Sequence, residues 1–169
     1  MIWSSRRKKC LDNEVSDKKR FPTFARTIPA LEQISMAAIS LLKAYNWNKF
    51  TIVHGDAIKQ QKLYQKIKLL SEEKNLIIQD VHKFDQPFAH VRKQHTDRLR
   101  DIIAQTYRNT RIYLMFGPYY AVYYFLHELD DMNLLQTNEY TVIYLDPEYY
   151  YGKNASEAML NRYYRRKLT

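Results

Sequence analysis

Four short apolar runs, each separated from the next by a stretch with helical periodicity, constrain this chain more than any other feature. The runs are Lys49 to His54, Leu76 to His82, Arg111 to Phe116 and Tyr140 to Leu145, all rich in β-branched and aromatic residues. The first reads as a buried parallel strand and the other three as further strands. One helical pattern precedes the first run and three lie between the runs. Leu31, Ile34, Ala38, Leu41 and Tyr45 recur at spacings of three and four and are expected to line one helical face, with Asn46 as its stop. Leu63, Ile67 and Leu70 mark a second helix, for which Asp56 is the expected N-cap after a turn at Gly55. A polar connection over 84–96 leads to a third helix, capped by Thr96 or Asp97, with Leu99, Ile102, Ile103 and Thr106 inward. Pro118 suits the first turn of a fourth, whose inward residues are Val122, Phe125, Leu126 and Leu129.

Alternation of this kind forces parallel strand pairing with helical crossovers. The expected fold is α/β: an open parallel sheet with helices on both faces. Ligands of such sheets bind beyond the C-terminal strand ends. His54, Asp56, Asp85, Tyr119 and Asp146 fall at those ends and are the candidate cleft-edge contacts. For the aspartates, capping and turn roles compete with ligand contact. Tyr120 and Tyr124 share one helical face and Tyr119 and Tyr123 another, so packing accounts for at least one pair.

Charge narrows the function. The net charge is +9, yet residues 21–148 carry fifteen Lys and Arg against fourteen acids. The excess sits in residues 1–20 and 149–169. A nucleic-acid-binding protein needs a concentrated positive field, which the body lacks, so no nucleic-acid partner is expected. With only 3 glycines there is no phosphate-cradling loop. His54, His82, His90 and His95 read as surface or strand-end histidines, and His90 and His95 have no cysteine or acid at ligand spacing, so no metal and no cofactor are expected. No serine has a nucleophile-elbow context, and no catalytic residue is assigned. The lone cysteine, Cys10, has no internal partner. The N-terminus lacks the apolar core of a signal peptide, and no apolar run is long enough to span a membrane.

Phe21 to Asp56 carries a more specific signal. Phe21-Pro22-Thr23-Phe24-Ala25-Arg26-Thr27, then Pro29, then Gln33-Ile34-Ser35, then Leu41-Leu42 leading to Asn46-Trp47, resembles the ligand-binding ectodomain of membrane receptor guanylyl cyclases. The natriuretic-peptide-receptor branch and its insect relatives are most alike. The resemblance implies one lobe, mainly the second, of a type I periplasmic-binding-protein fold. It places the hinge crossing at Phe24, Arg26, Thr27 and Pro29. The implied organisation is a basic segment over 1–20, a crossing segment over 21–33, a ligand-binding lobe over 34–148 and a Tyr- and Arg-rich tail over 149–169. It also implies an extracellular ligand, a peptide, and a homodimer in the full-length receptor. Contact with the membrane would come only through downstream sequence. The parent would convert GTP to cyclic GMP, whereas this chain is not expected to be an enzyme. In an extracellular setting Asn154, followed by Ala155 and Ser156, becomes a glycosylation candidate. The absence of a first lobe, a membrane helix and a cyclase domain gives the expectation of a fragment. The alternatives are a small-molecule-binding module of the same fold and, behind it, a basic nucleic-acid-binding protein.

Overall fold

The computed structural model describes residues 17, 19–20, 22–23, 29–85 and 92–145, without the side chains of 92–96 and Tyr119. The elements follow in the order α1 (Leu31–Ala44), β1 (Lys49–Gly55), α2 (Ile58–Glu73), β2 (Ile77–Phe84), α3 (Arg92–Thr106), β3 (Ile112–Phe116), α4 (Tyr119–Asp131) and β4 (Thr141–Leu145), with a short 3-10 turn at Leu135–Thr137 before β4. The four strands form one sheet in the order β2-β1-β3-β4. Every pairing is parallel, with His54 beside Phe116, Gly55 beside Phe84 and Phe116 beside Leu145. The expected open parallel sheet is therefore the observed one.

Alternation of side chains along the strands divides the core in two. Phe50, Ile52, Ile112, Leu114 and Phe116 pack with Leu31, Ala38, Ile39 and Leu42 of α1 and Leu63 and Ile67 of α2. Val53, Tyr113 and Met115 project to the other face. There they meet Leu99, Ile102 and Ile103 of α3 and Ala121, Val122, Phe125 and Leu129 of α4. The path from β1 to β2 runs one way through α2. The paths from β2 to β3 and from β3 to β4 run the other way through α3 and α4. The change of direction puts helices on opposite faces because crossovers keep one hand. It also makes the gap between β1 and β3 a topological switch point.

With glycine scarce, asparagine ends the helices. Asn46, Asn75 and Asn133 hold φ of 57°, 54° and 58° one residue past the C-caps of α1, α2 and α4. Asparagine tolerates this left-handed conformation better than other side chains with a Cβ. At each end the next amide reaches back five residues in Schellman fashion: Trp47 to Leu42 at 2.8 Å, Leu76 to Ser71 at 2.9 Å and Leu134 to Leu129 at 2.9 Å. The residue making that bond is apolar each time, which anchors the turn to the core.

Three local expectations need correction. On α1 the buried residues are Leu31, Ser35, Ala38, Ile39 and Leu42, while Leu41 and Tyr45 are exposed. The Ser35 hydroxyl bonds the Leu31 carbonyl at 2.8 Å, so a polar residue sits comfortably on the inward face. Asp56 does not cap α2. Ala57 holds the cap position without a side-chain bond, and the Asp56 carbonyl instead accepts from Gln61 Nε2 at 2.6 Å. Neither Thr96 nor Asp97 starts α3, which is already helical at Arg92.

Candidate functional site

The C-terminal ends of β1, β2 and β3 come together along one edge of the sheet. At the switch point the rim is built by His54 and Gly55 on one side and Phe116 and Gly117 on the other. His54 is 4% exposed. Its ring stacks between Tyr64 of α2, with centroids 5.1 Å apart, and Phe116, at 5.5 Å. Its Nδ1 donates to the Gly55 carbonyl at 2.7 Å. Burial pushes the His54 pKa below its ordinary 6.5; the Gly55 bond opposes this and Lys83 reinforces it. A neutral imidazole with both faces covered is the result.

Gly117 matters because it has no side chain. A Cβ there would lie 2.7 Å from Cζ of Phe84, the last residue of β2, so the Phe84 ring rests on the Gly117 backbone. The Gly117 carbonyl accepts from the Tyr144 hydroxyl at 2.8 Å. Phe84, Gly117 and Tyr144 thereby tie the ends of β2, β3 and β4 into one rim. Sequence reasoning missed these roles. The available signal was the glycine count, since two of the 3 glycines close the two strands flanking the switch point.

The other candidates land as follows. Asp56 follows β1 and is half-buried, and Asp85 follows β2 and is exposed. Tyr119 opens α4. The structure thus brings His54, Asp56, Asp85 and the Tyr119 backbone to the same sheet edge. Asp146 and Asn154 lie outside the described residues, as do Phe24, Arg26 and Thr27 of the crossing segment. Pro29 is exposed, immediately before the Ala30 cap of α1, whose amide bonds the Gln33 side chain at 3.1 Å. Residues 31–33 of that segment belong to α1. Tyr120 and Tyr124 pack against the second core cluster and are the packed tyrosine pair. His82 is half-buried on β2. Burial lowers its pKa, with Asp80 opposing and Arg98 assisting.

In an open parallel sheet the switch point at the C-terminal strand ends is where ligands bind, and His54, Gly55, Phe116 and Gly117 stand there. The comparisons agree. The family model "Receptor family ligand binding region" matches residues 3–162, and the chain belongs to that family, a periplasmic-binding-protein-like domain of type I. It is 34% identical over 156 residues to guanylate cyclase 32E of Drosophila melanogaster, covering 92% of this chain and 13% of that protein. It is 28% identical over 137 residues to the resact receptor of Arbacia punctulata, 79% of this chain and 14% of the receptor. The speract receptor of Strongylocentrotus purpuratus is 27% identical over 136 residues, 79% of this chain and 12% of the receptor. The chain therefore spans about an eighth of the length of these relatives. No described helix is long and apolar enough to cross a membrane.

Proposed function

We propose that this chain is part of the extracellular ligand-binding region of a membrane receptor guanylate cyclase, and that its strand-end rim forms one wall of the ligand cleft. The observation that carries this reading is the switch point between β1 and β3, lying within a chain that matches receptor ligand-binding regions along almost its whole length. Asp56 and Asp85 stand on that rim with enough exposure to meet a ligand, whereas the buried His54 ring shapes its floor. Two of the relatives are named for the ligands they receive, resact and speract. A peptide is the ligand class we assign here. Phe24, Arg26, Thr27 and Pro29 form the hinge to a second lobe in this reading, and Asn154 carries a glycan.

The mechanism is a shift of population. A ligand that contacts both cleft walls stabilises one arrangement of lobes, and of the two subunits of a homodimer, over another. That difference in affinity passes across the membrane to a cyclase that makes cyclic GMP. This chain contributes the wall and leaves the chemistry to the parent. Sequencing the transcript through both flanks tests the assignment. The expected reading frame continues into a membrane-spanning helix and a cyclase domain. A stop codon confirmed in RNA, with no such exons nearby, would contradict it.

A further inference from the structure

The last turn of α4 carries a cluster that the ligand rim does not use. The ligand-capable atoms of His127, Glu128 and Asp131 lie within 4.8 Å of one another. His127 Nδ1 and Asp131 Oδ2, one helical turn apart, are separated by 3.0 Å, and both side chains are about half exposed, at 50% and 48%. Glu128 is 8% exposed. Its Oε2 is buried without a hydrogen-bond partner. Arg100 Nε approaches that oxygen only to 3.9 Å, which is too far for a hydrogen bond.

We propose that His127, Glu128 and Asp131 bind a divalent first-row transition-metal ion, with zinc the best-fitting member. A buried carboxylate that lacks a hydrogen bond to one oxygen is costly to maintain, and a cation bound at the Glu128 carboxylate offsets that cost. The 3.0 Å separation of His127 Nδ1 and Asp131 Oδ2 is close to the spacing of two neighbouring ligands, each roughly 2.0–2.2 Å from a zinc ion. Both side chains project from successive turns of one formed helix, so little further ordering is needed on binding. The C-terminal end of a helix favours a positive charge. The exposed flank formed by His127 and Asp131 gives the ion an entrance and leaves room for water in its remaining positions. One imidazole nitrogen and two carboxylates suit zinc and its neighbours. Calcium, which takes six to eight oxygens, finds too few here. Because α4 runs antiparallel to the strands, this site lies at the end of the lobe away from the ligand rim. It would pin the α4 terminus independently of the ligand.

Titration of the chelator-treated full chain tests this, with zinc chloride and calcium chloride followed by calorimetry and cobalt chloride by visible absorption. The expected result is saturable one-to-one zinc binding with cobalt ligand-field bands and no comparable calcium binding. His127→Ala and Asp131→Asn should each weaken zinc at least tenfold. Glu128→Gln, which keeps the packing, should weaken it too. A His90→Ala/His95→Ala variant should bind as the parent does. Zinc should raise the melting temperature of the parent chain but not of His127→Ala. His127 and Asp131 are exposed and Glu128→Gln is isosteric, so circular dichroism is expected to show all variants folded. Absence of saturable zinc binding, zinc binding that survives His127→Ala, or equal affinity for calcium would overturn the site.

Discussion

Asn75 stands one residue past the C-cap of α2 at a φ of 54°, where nearly any other side chain with a Cβ is strained. Asn75→Ala is expected to cost about 1 kcal/mol in urea unfolding, and Asn75→Gly to be neutral or slightly stabilising. Equal loss in both would show that the asparagine side chain, and not its backbone conformation, is what counts. Gly117 answers to space instead. Gly117→Ala drives a Cβ toward the buried, rigid Phe84 ring at 2.7 Å and should destabilise by roughly 1–3 kcal/mol. Adding Phe84→Leu should recover part of the loss, since the clash is with the ring. Tyr113 is fully buried, with its hydroxyl 2.9 Å from Thr106 Oγ1. Burial pushes its pKa up to about 12. The folded state therefore keeps a proton that the unfolded chain releases near pH 10. Tyr113 contributes stability that is fully present below pH 10 and declines as pH rises toward 12. Urea melts at increasing alkaline pH should show that decline, and Tyr113→Phe should remove it.

At the scale of elements, β1 and β2 make the least regular contact in the sheet. Phe50 pairs with Ile78 and Ile52 with Val81, so Gln79 and Asp80 together face Thr51 across a bulge. Thr51 Oγ1 and Gln79 Oε1 are both buried there without a hydrogen-bond partner. Replacing Thr51 by the isosteric Val removes an unsatisfied hydroxyl, and the variant should be as stable as the parent or more so, by up to about 1–2 kcal/mol. A clear loss in thermal unfolding would mean that the hydroxyl has a partner in solution. The elements themselves were legible from the sequence, because buried parallel strands announce themselves as β-branched runs and the inward faces of α2, α3 and α4 follow a helical period. The inward face of α1 was not. Met36, Leu41 and Tyr45 are apolar yet exposed, while Ser35 is buried, so that helix offers two competing stripes. Only the packing of the sheet against it decides between them. The start of α2 was displaced because Asp56 has the chemistry of a cap but stands one residue too early. The contact of Phe84 with Gly117 spans two elements and has no local signature.

For the whole molecule, acid sensitivity is expected at the rim. Burial lowers the His54 pKa below 6.5, so folding favours its neutral form. That contribution is fully present above pH 6.5 and is lost as pH falls through the lowered folded value. His54→Gln should flatten the slope of stability against pH in that range. The larger proposal is that this lobe presents its strand-end rim to an extracellular ligand whose binding controls how fast the parent receptor makes cyclic GMP from GTP. Asp56 and Asp85 are the rim carboxylates with exposure among the described residues, and a hydrogen bond to a charged group contributes roughly 1.5–3 kcal/mol. The most direct measurement is the concentration of a native peptide extract giving half-maximal cyclic GMP in cells that express the parent receptor. The intact form would be compared with one carrying Asp56→Ala and Asp85→Ala. The expected result is a rise of about tenfold or more in that concentration, with basal cyclic GMP unchanged. An unshifted response in the double variant would contradict the assignment of this rim to the ligand cleft.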